Sequence, residues 1–147
     1  MSDKILKYNP ISDIEMARAS SDFLSSMRLR RSVREFSSRD IPIEVVKNIV
    51  STAASAPSGA NKEPWHFTIV QDPGVKHEIR VGAEIEEKAF YKQKAPISWL
   101  KDLNKFGTDW NKEFLEVAPY LIIVFKQIYD LKNGKKYKNY YVNESVG

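Results

Sequence analysis

Two stretches and one pair of side chains in this sequence carry the residue types that chemistry needs. Arg30-Arg31-Ser32-Val33-Arg34 places three guanidiniums and a hydroxyl within five residues. Arginine grips oxyanions through paired donors, so a phosphate is the ligand this stretch suits. In an extended segment Arg30, Ser32 and Arg34 share one side and Arg31 points away. A solvated basic crossing with surface ion pairs is the alternative. Ala56-Pro57-Ser58-Gly59-Ala60-Asn61, followed by Glu63-Pro64-Trp65, is small and turn-rich. Small residues let backbone amides approach a flat ligand, and Ser58 and Asn61 add polar contacts. An ordinary helix-to-strand loop has the same composition. Glu87 and Tyr91 stand four apart, so one helix face presents a carboxylate and a phenol. A solvated helix with a chance pair is the bland alternative.

Other chemistries are excluded by what the chain lacks. It has no cysteine, which removes a disulfide framework, a thiolate metal site and a cysteine nucleophile. His66 and His77 are its only histidines, and no carboxylate stands at ligand spacing with both. That argues against a metal site and against a hydrolytic triad. The net charge is +4, and Lys126 to Lys138 alone holds five lysines against Asp130. The remainder is neutral overall, so no uniformly basic nucleic-acid surface is expected. The lysine run reads as a solvated hairpin turn around Asn133-Gly134. Met1 to Lys7 lacks an apolar signal core, and no stretch approaches the roughly 18 apolar residues of a membrane span. A soluble, cytoplasmic protein without nucleic-acid or membrane partners is the expectation.

The elements that must position these residues follow from periodicity. At 147 residues the chain has the size of one domain. Ser12-Asp13-Ile14-Glu15 is a capping box, and Met16, Ala19, Phe23, Leu24 and Met27 recur at helical spacing, predicting a helix from Asp13 to Met27. Arg30 to Phe36 reads as irregular or extended. Pro42 suits a first helical turn ahead of the stripe Val46, Ile49, Val50 and Ala53. Trp65, Phe67 and Ile69 alternate with polar residues, a strand that Asp72-Pro73-Gly74 ends. His66 then faces away from the apolar side. A helix from Val75 to Tyr91 is expected, then a less regular stretch from Lys92 to Gly107 broken by Pro96, then a short helix from Thr108 to Glu116. Tyr120 to Phe125 is a continuous apolar run, the pattern of a strand buried on both faces. The sum is one α+β unit.

Taken together, the motifs resemble the flavin-binding nitroreductase family. Its Arg-Arg-Ser-x-Arg near the N-terminus, Pro-x-Glu opening a helix (Pro42-Ile43-Glu44), Ala-Pro-Ser-Gly and Pro-Trp before a strand all stand here in order. The resemblance runs from about Tyr8 to Gly147. It implies a central sheet flanked by helices, FMN as cofactor and NAD(P)H or a reductase as electron donor. By position it assigns Arg30, Arg31, Ser32 and Arg34 to the FMN phosphate, and Pro57, Ser58 and Gly59 to the ring and ribityl chain. Within the family, the middle of the chain is most similar to the branch that removes halide from halotyrosines. Glu86-Glu87-Lys88-Ala89-Phe90-Tyr91-Lys92, Trp99, Asp102-Leu103, Trp110, Lys112-Glu113 and Ala118-Pro119 carry that likeness. It implies that Glu87, Tyr91 and Lys112 clamp the zwitterionic end of the substrate. The carboxylate would take the ammonium, while the phenol and ammonium side chains take the carboxylate. It also implies that the Ala60 backbone N–H donates to the phenolate, and that 92–107 folds over the substrate as a lid.

Family members continue past the Asn143-Glu144-Ser145 region into a dimer-core helix and further strands. The chain is therefore expected to be the N-terminal portion of one nitroreductase-like domain, 1–147, whose full-length form is a homodimer. A broad nitroreductase, a basic binding module and a degenerate non-catalytic fragment are the competing expectations.

Overall fold

The computed structural model describes residues 9–147, so the Met1 to Lys7 segment lies outside the described residues. These residues form two units, one ending at Arg34 and the other running from Glu35 to Gly147.

The first unit is one helix and its exit. Helix α1 spans Asp13–Leu29 and opens on the capping box: Ser12 Oγ accepts from Glu15 N, and Glu15 reaches back to the Ser12 N–H at 2.9 Å. Beyond Leu29 the backbone turns extended at Arg30. No helix or strand interrupts 30–34, as the sequence predicts.

The second unit begins with α2, Ile43–Ala54, whose Val46 is fully buried; Pro42 sits one residue ahead as its cap. A left-handed loop follows, and Pro64, also fully buried, delivers the chain into β1, Trp65–Val70. Asp72 caps helix α3, Pro73–Ala89, by accepting from Val75 N at 2.9 Å. A π-turn over Phe90–Lys94 extends α3, closed by Ala95 N donating to Phe90 O at 2.9 Å. Helices α4, Ile97–Asn104, and α5, Phe114–Val117, complete the helical half.

Strand β2, Leu121–Lys126, pairs antiparallel with β1 in a register that sets Trp65 against Lys126 and Val70 against Leu121. Strands β3, Tyr129–Lys132, and β4, Lys135–Lys138, form a separate hairpin. Asn133 and Gly134 both have positive φ, 51° and 73°, as the mirror-image turn that suits a two-residue hairpin requires. Asn139 is buried at the hairpin base and donates to Gln127 O and Asp130 Oδ1. The last element, α6, is Val142–Val146.

Three expectations need correction. The 92–107 stretch contains a two-turn helix, α4, because Pro96 serves as its leading cap and not as a breaker. The helix expected over 108–116 shrinks to Phe114–Val117, since Asp109 and Asn111 spend their side chains on local backbone N–H groups. The strand expected to be buried on both faces is not: among the described residues β2 has only β1 as neighbour, and Val124 and Phe125 are exposed.

The core of this unit is small, with Val46, Pro64, Val70 and Ala118 its buried apolar members. Beside it lies a buried lysine, Lys76, whose Nζ donates to Glu116 O and Ala118 O at 2.8 Å each, holding the end of α5 against α3. Replacing it with Met keeps the volume but leaves both carbonyls without their donor. Lys76→Met is therefore expected to cost about 2–3 kcal/mol and lower the midpoint of a thermal melt by about 6 °C. An unchanged midpoint would show that water satisfies those carbonyls.

Candidate functional site

Helix α3 and the segment that follows α4 carry the polar machinery. The two run past each other in opposite directions, joined at every turn by a side chain. Arg80 Nη1 donates to Glu116 Oε1 at 3.2 Å. Glu84 Oε1 accepts from the backbone N–H of Lys112 at 3.0 Å. Glu87 Oε2 stands 3.4 Å from Lys112 Nζ. Lys88 Nζ lies 3.6 Å from the centre of the Trp110 ring, a cation–π contact. Tyr91 OH donates to Thr108 Oγ1 at 3.2 Å. As the α3 number rises, its partner's number falls from 116 to 108.

This arrangement brings Glu87 and Lys112 together from positions 25 apart in the chain. Lys112 is mostly buried and Glu87 partly so, their side chains 16% and 39% exposed. A carboxylate and an ammonium held 3.4 Å apart match the two charges of an amino-acid zwitterion. Tyr91, one turn beyond Glu87, sits in the π-turn, with its ring edge-on to Phe90 at 5.6 Å. Phe90 in turn meets Trp99 of α4 at 6.2 Å. The segment 90–110 thus carries aromatic side chains beside this end of α3, several of them exposed: Trp99, Phe106 and Trp110.

The small-residue loop takes a form that only a restrained chain adopts. Ala60, Asn61 and Glu63 all have left-handed backbone, with φ of 50°, 53° and 45°. Such conformations cost on the order of 1 kcal/mol each in non-glycine residues and collect at ligand sites. The loop is held by Ser58 Oγ, which accepts from Glu63 N at 2.8 Å, and by Ser145 Oγ, which accepts from Gly59 N at 3.3 Å. A side chain at position 59 would begin 3.0 to 3.1 Å from the Tyr141 side chain, so anything larger than glycine would have to push that ring aside. Pro57 precedes this loop without regular structure.

In the first unit Arg30, Arg31, Ser32 and Arg34 are exposed. Arg31 folds back, donating to Arg28 O and Arg30 O at 2.7 and 2.9 Å, and so caps the end of α1. Among the described residues of this unit no carboxylate pairs with Arg30, Arg31 or Arg34.

Several contacting side chains escaped the sequence reading, among them Arg80, Glu84, Thr108, Glu116 and Ser145. Only Glu84 left a trace, as the residue three before Glu87 on the same helix face. A shallow depression of about 570 Å³ bounded by Ser38, Asp40, Gln71, Asp72, Pro73 and Pro119 lies at the opposite end of α3 and contains no basic side chain.

Two carboxylates of this network, Glu84 and Glu116, are held below their ordinary range. Hydrogen bonding from Arg80 lowers Glu84, and His77 and Arg80 lower Glu116. Asn139 and Gln127 do the same for Asp130 at the hairpin base. A carboxylate with a depressed folded pKa adds stability above its unfolded value and loses it as pH falls through the folded one. Thermal midpoints are therefore expected to hold from pH 7 to 5 and to fall below about pH 4.3, the ordinary glutamate value. A midpoint that rose on acidification from pH 5 to 3 would contradict this.

Comparison with known proteins follows the same lines. Iodotyrosine deiodinase of Haliscomenobacter hydrossis is 55% identical over 134 residues, 90% of this chain and 60% of that protein. Iodotyrosine deiodinase 1 of Homo sapiens is 44% identical over 140 residues, 95% of this chain and 48% of that protein. A crystal structure of oxidised iodotyrosine deiodinase bound to FMN and 3-iodo-L-tyrosine superposes with a TM-score of 0.71 at 33% identity, covering 84% of this chain and 61% of that one. A nitroreductase with bound FMN from Bacteroides fragilis gives a TM-score of 0.55 at 28% identity, covering 84% of this chain and 57% of that one. The chain thus spans between about half and three fifths of the length of these relatives. The family model for nitroreductases matches residues 27–144, and the chain belongs to the nitroreductase family.

Proposed function

We propose that this chain serves the FMN-dependent reductive dehalogenation of a halotyrosine, with electrons from NAD(P)H or a reductase. The observation that carries the proposal is the Glu87–Lys112 pair, 3.4 Å apart, with Tyr91 one turn further on, in the π-turn that extends α3. An amino-acid zwitterion enters such a pair by exchange, its ammonium going to Glu87 and its carboxylate to Lys112 and the Tyr91 hydroxyl. Each original charge keeps a partner, so little desolvation goes uncompensated. The aromatic side chains Phe90, Tyr91 and Trp99, in contact with one another, offer the halogenated ring an apolar surface.

The residues fit FMN. Arg30, Arg31, Ser32 and Arg34 are a phosphate donor set, and no carboxylate of their unit neutralises the arginines among the described residues. Pro57, Ser58 and Gly59 form a small-residue loop in which Gly59 lies close against the Tyr141 side chain. Two-electron-reduced FMN, when bound, would supply the electron pair with which the halogen leaves as halide, a proton completing the new carbon–hydrogen bond. The chain's own share is to hold substrate, phosphate and ring, and to donate the Ala60 N–H to the phenolate oxygen. The left-handed backbone at Ala60 is the kind of local strain that aims a peptide N–H at a ligand.

The same reading makes the working form a homodimer and places it in the cytoplasm. The apolar stripe of α1, with Phe23 and Leu24 exposed, supports a partner subunit. Among the described residues no helix is long and apolar enough to cross a membrane. The test is quenching of FMN fluorescence by 3-iodotyrosine in the flavin-loaded protein. Saturable quenching is expected. A protein that reduces nitroaromatics but shows no such quenching would instead be a broad nitroreductase.

A further inference from the structure

We propose that Glu84, held by Arg80, is the positioning residue that sets Lys112 in the substrate clamp; this rests on the clamp reading above. Glu84 and Glu87 are three apart and share one face of α3. They hold the same residue at its two ends. Glu84 Oε1 accepts from the Lys112 backbone N–H at 3.0 Å, while Glu87 stands 3.4 Å from its Nζ. The Lys112 ammonium also donates to Asp109 O at 3.0 Å. With main chain and side-chain tip both fixed, the long lysine side chain loses freedom before substrate arrives, which removes an ordering cost from binding.

Glu84 is built for that task. Its side chain is 12% exposed, and the same Oε1 accepts from Arg80 Nε at 2.8 Å. Arg80 is fixed in turn by Glu116 at 3.2 Å, and Glu116 accepts from or pairs with His77 Nδ1 at 2.9 Å. Glu84 cannot reach the substrate's charges through Lys112's ammonium, because it engages only the backbone of that residue. It therefore acts through position and not by contact. A glutamine retains the one carbonyl oxygen that makes both bonds, so the proposal separates acceptor geometry from charge.

The experiment titrates the flavin-loaded protein with two probes, 3-iodotyrosine and 2-iodophenol, which lacks the zwitterion. Glu84→Ala is expected to weaken 3-iodotyrosine about tenfold while 2-iodophenol and FMN stay within twofold, as the loss of one buried hydrogen bond to the clamp predicts. Glu84→Gln is expected to restore binding to within about threefold, since its carbonyl still accepts. A general loss of folding or packing would weaken both probes alike, and that result overturns the proposal, as does unchanged 3-iodotyrosine binding in Glu84→Ala. Should Glu84→Ala fail to fold, Glu84→Asp decides: the shorter side chain keeps the charge but draws the acceptor back, and selective loss of 3-iodotyrosine supports positioning while wild-type binding refutes it. Glu87→Gln run in parallel keeps the two ideas apart. If it weakens 3-iodotyrosine and the Glu84 variants do not, positioning alone fails; if it too has no effect, the clamp itself fails.

Discussion

Glu87→Gln is expected to weaken 3-iodotyrosine binding by about 30-fold and to leave FMN affinity unchanged. A hydrogen bond to a charged group contributes about 1.5–3 kcal/mol, and 1.4 kcal/mol is tenfold in affinity. The variant removes the carboxylate proposed to take the substrate ammonium. It also frees Lys112, which stands 3.4 Å away, and an unshared ammonium binds the substrate carboxylate somewhat better. That offset keeps the loss nearer the middle of the range than its top. The charge-reversed partner behaves differently: Lys112→Met leaves Glu87 without its cation and the substrate carboxylate with only the Tyr91 phenol. Fluorescence titration of both variants checks this, and a loss below threefold in Glu87→Gln would sink the clamp.

The second large effect concerns the cofactor. Arg30→Ala combined with Arg34→Ala is expected to weaken FMN by about 1,000-fold, because each charge-assisted phosphate contact contributes about 1.5–3 kcal/mol. Replacement of both by lysine keeps the charge and loses the two-pronged donor geometry, for an expected loss of about tenfold. Arg31→Ala is expected to matter less for the cofactor, since the Arg31 Nη1 is already committed to Arg28 O and Arg30 O at the end of α1. Equilibrium dialysis against FMN separates the three variants. A double alanine variant that retains wild-type affinity would remove the arginine stretch from the cofactor site.

How far the sequence reaches can be seen in particular elements. Helix α1 was legible because its capping box is local: Ser12 and Glu15 satisfy each other within one turn. Strand β1 and the Asn133-Gly134 hairpin were legible for the same reason, alternation in one case and turn chemistry in the other. Helix α4 was missed because Pro96 suits both a break and a start, and only the residues after it decide. The exposure of β2 was not legible, since a continuous apolar run says that a strand suits burial on both faces without saying that both faces are covered.

The site divides in the same way. The Arg30–Arg34 stretch and the Ala56–Asn61 loop show their chemistry in adjacent letters, whereas Glu87, Tyr91 and Lys112 drew together only through resemblance to a family. Of their partners, Thr108 had no signal of its own, and Glu84 had only its place three before Glu87 on the same helix face. Glu84 bonds a backbone N–H 28 positions away, and Thr108 accepts from a phenol 17 positions away. A backbone donor has no residue identity, so no pattern of letters announces it. The run of contacts along α3 is a property of the folded chain alone.

The measurement that bears most directly on the proposed function is anaerobic turnover of 3-iodotyrosine with the flavin reduced beforehand by dithionite. One tyrosine and one iodide per reduced flavin are expected, with 2-iodophenol turned over far more slowly because it has nothing for Glu87 and Lys112 to hold. Reduced flavin that persists in the presence of 3-iodotyrosine yet is discharged by a nitroaromatic would contradict the account.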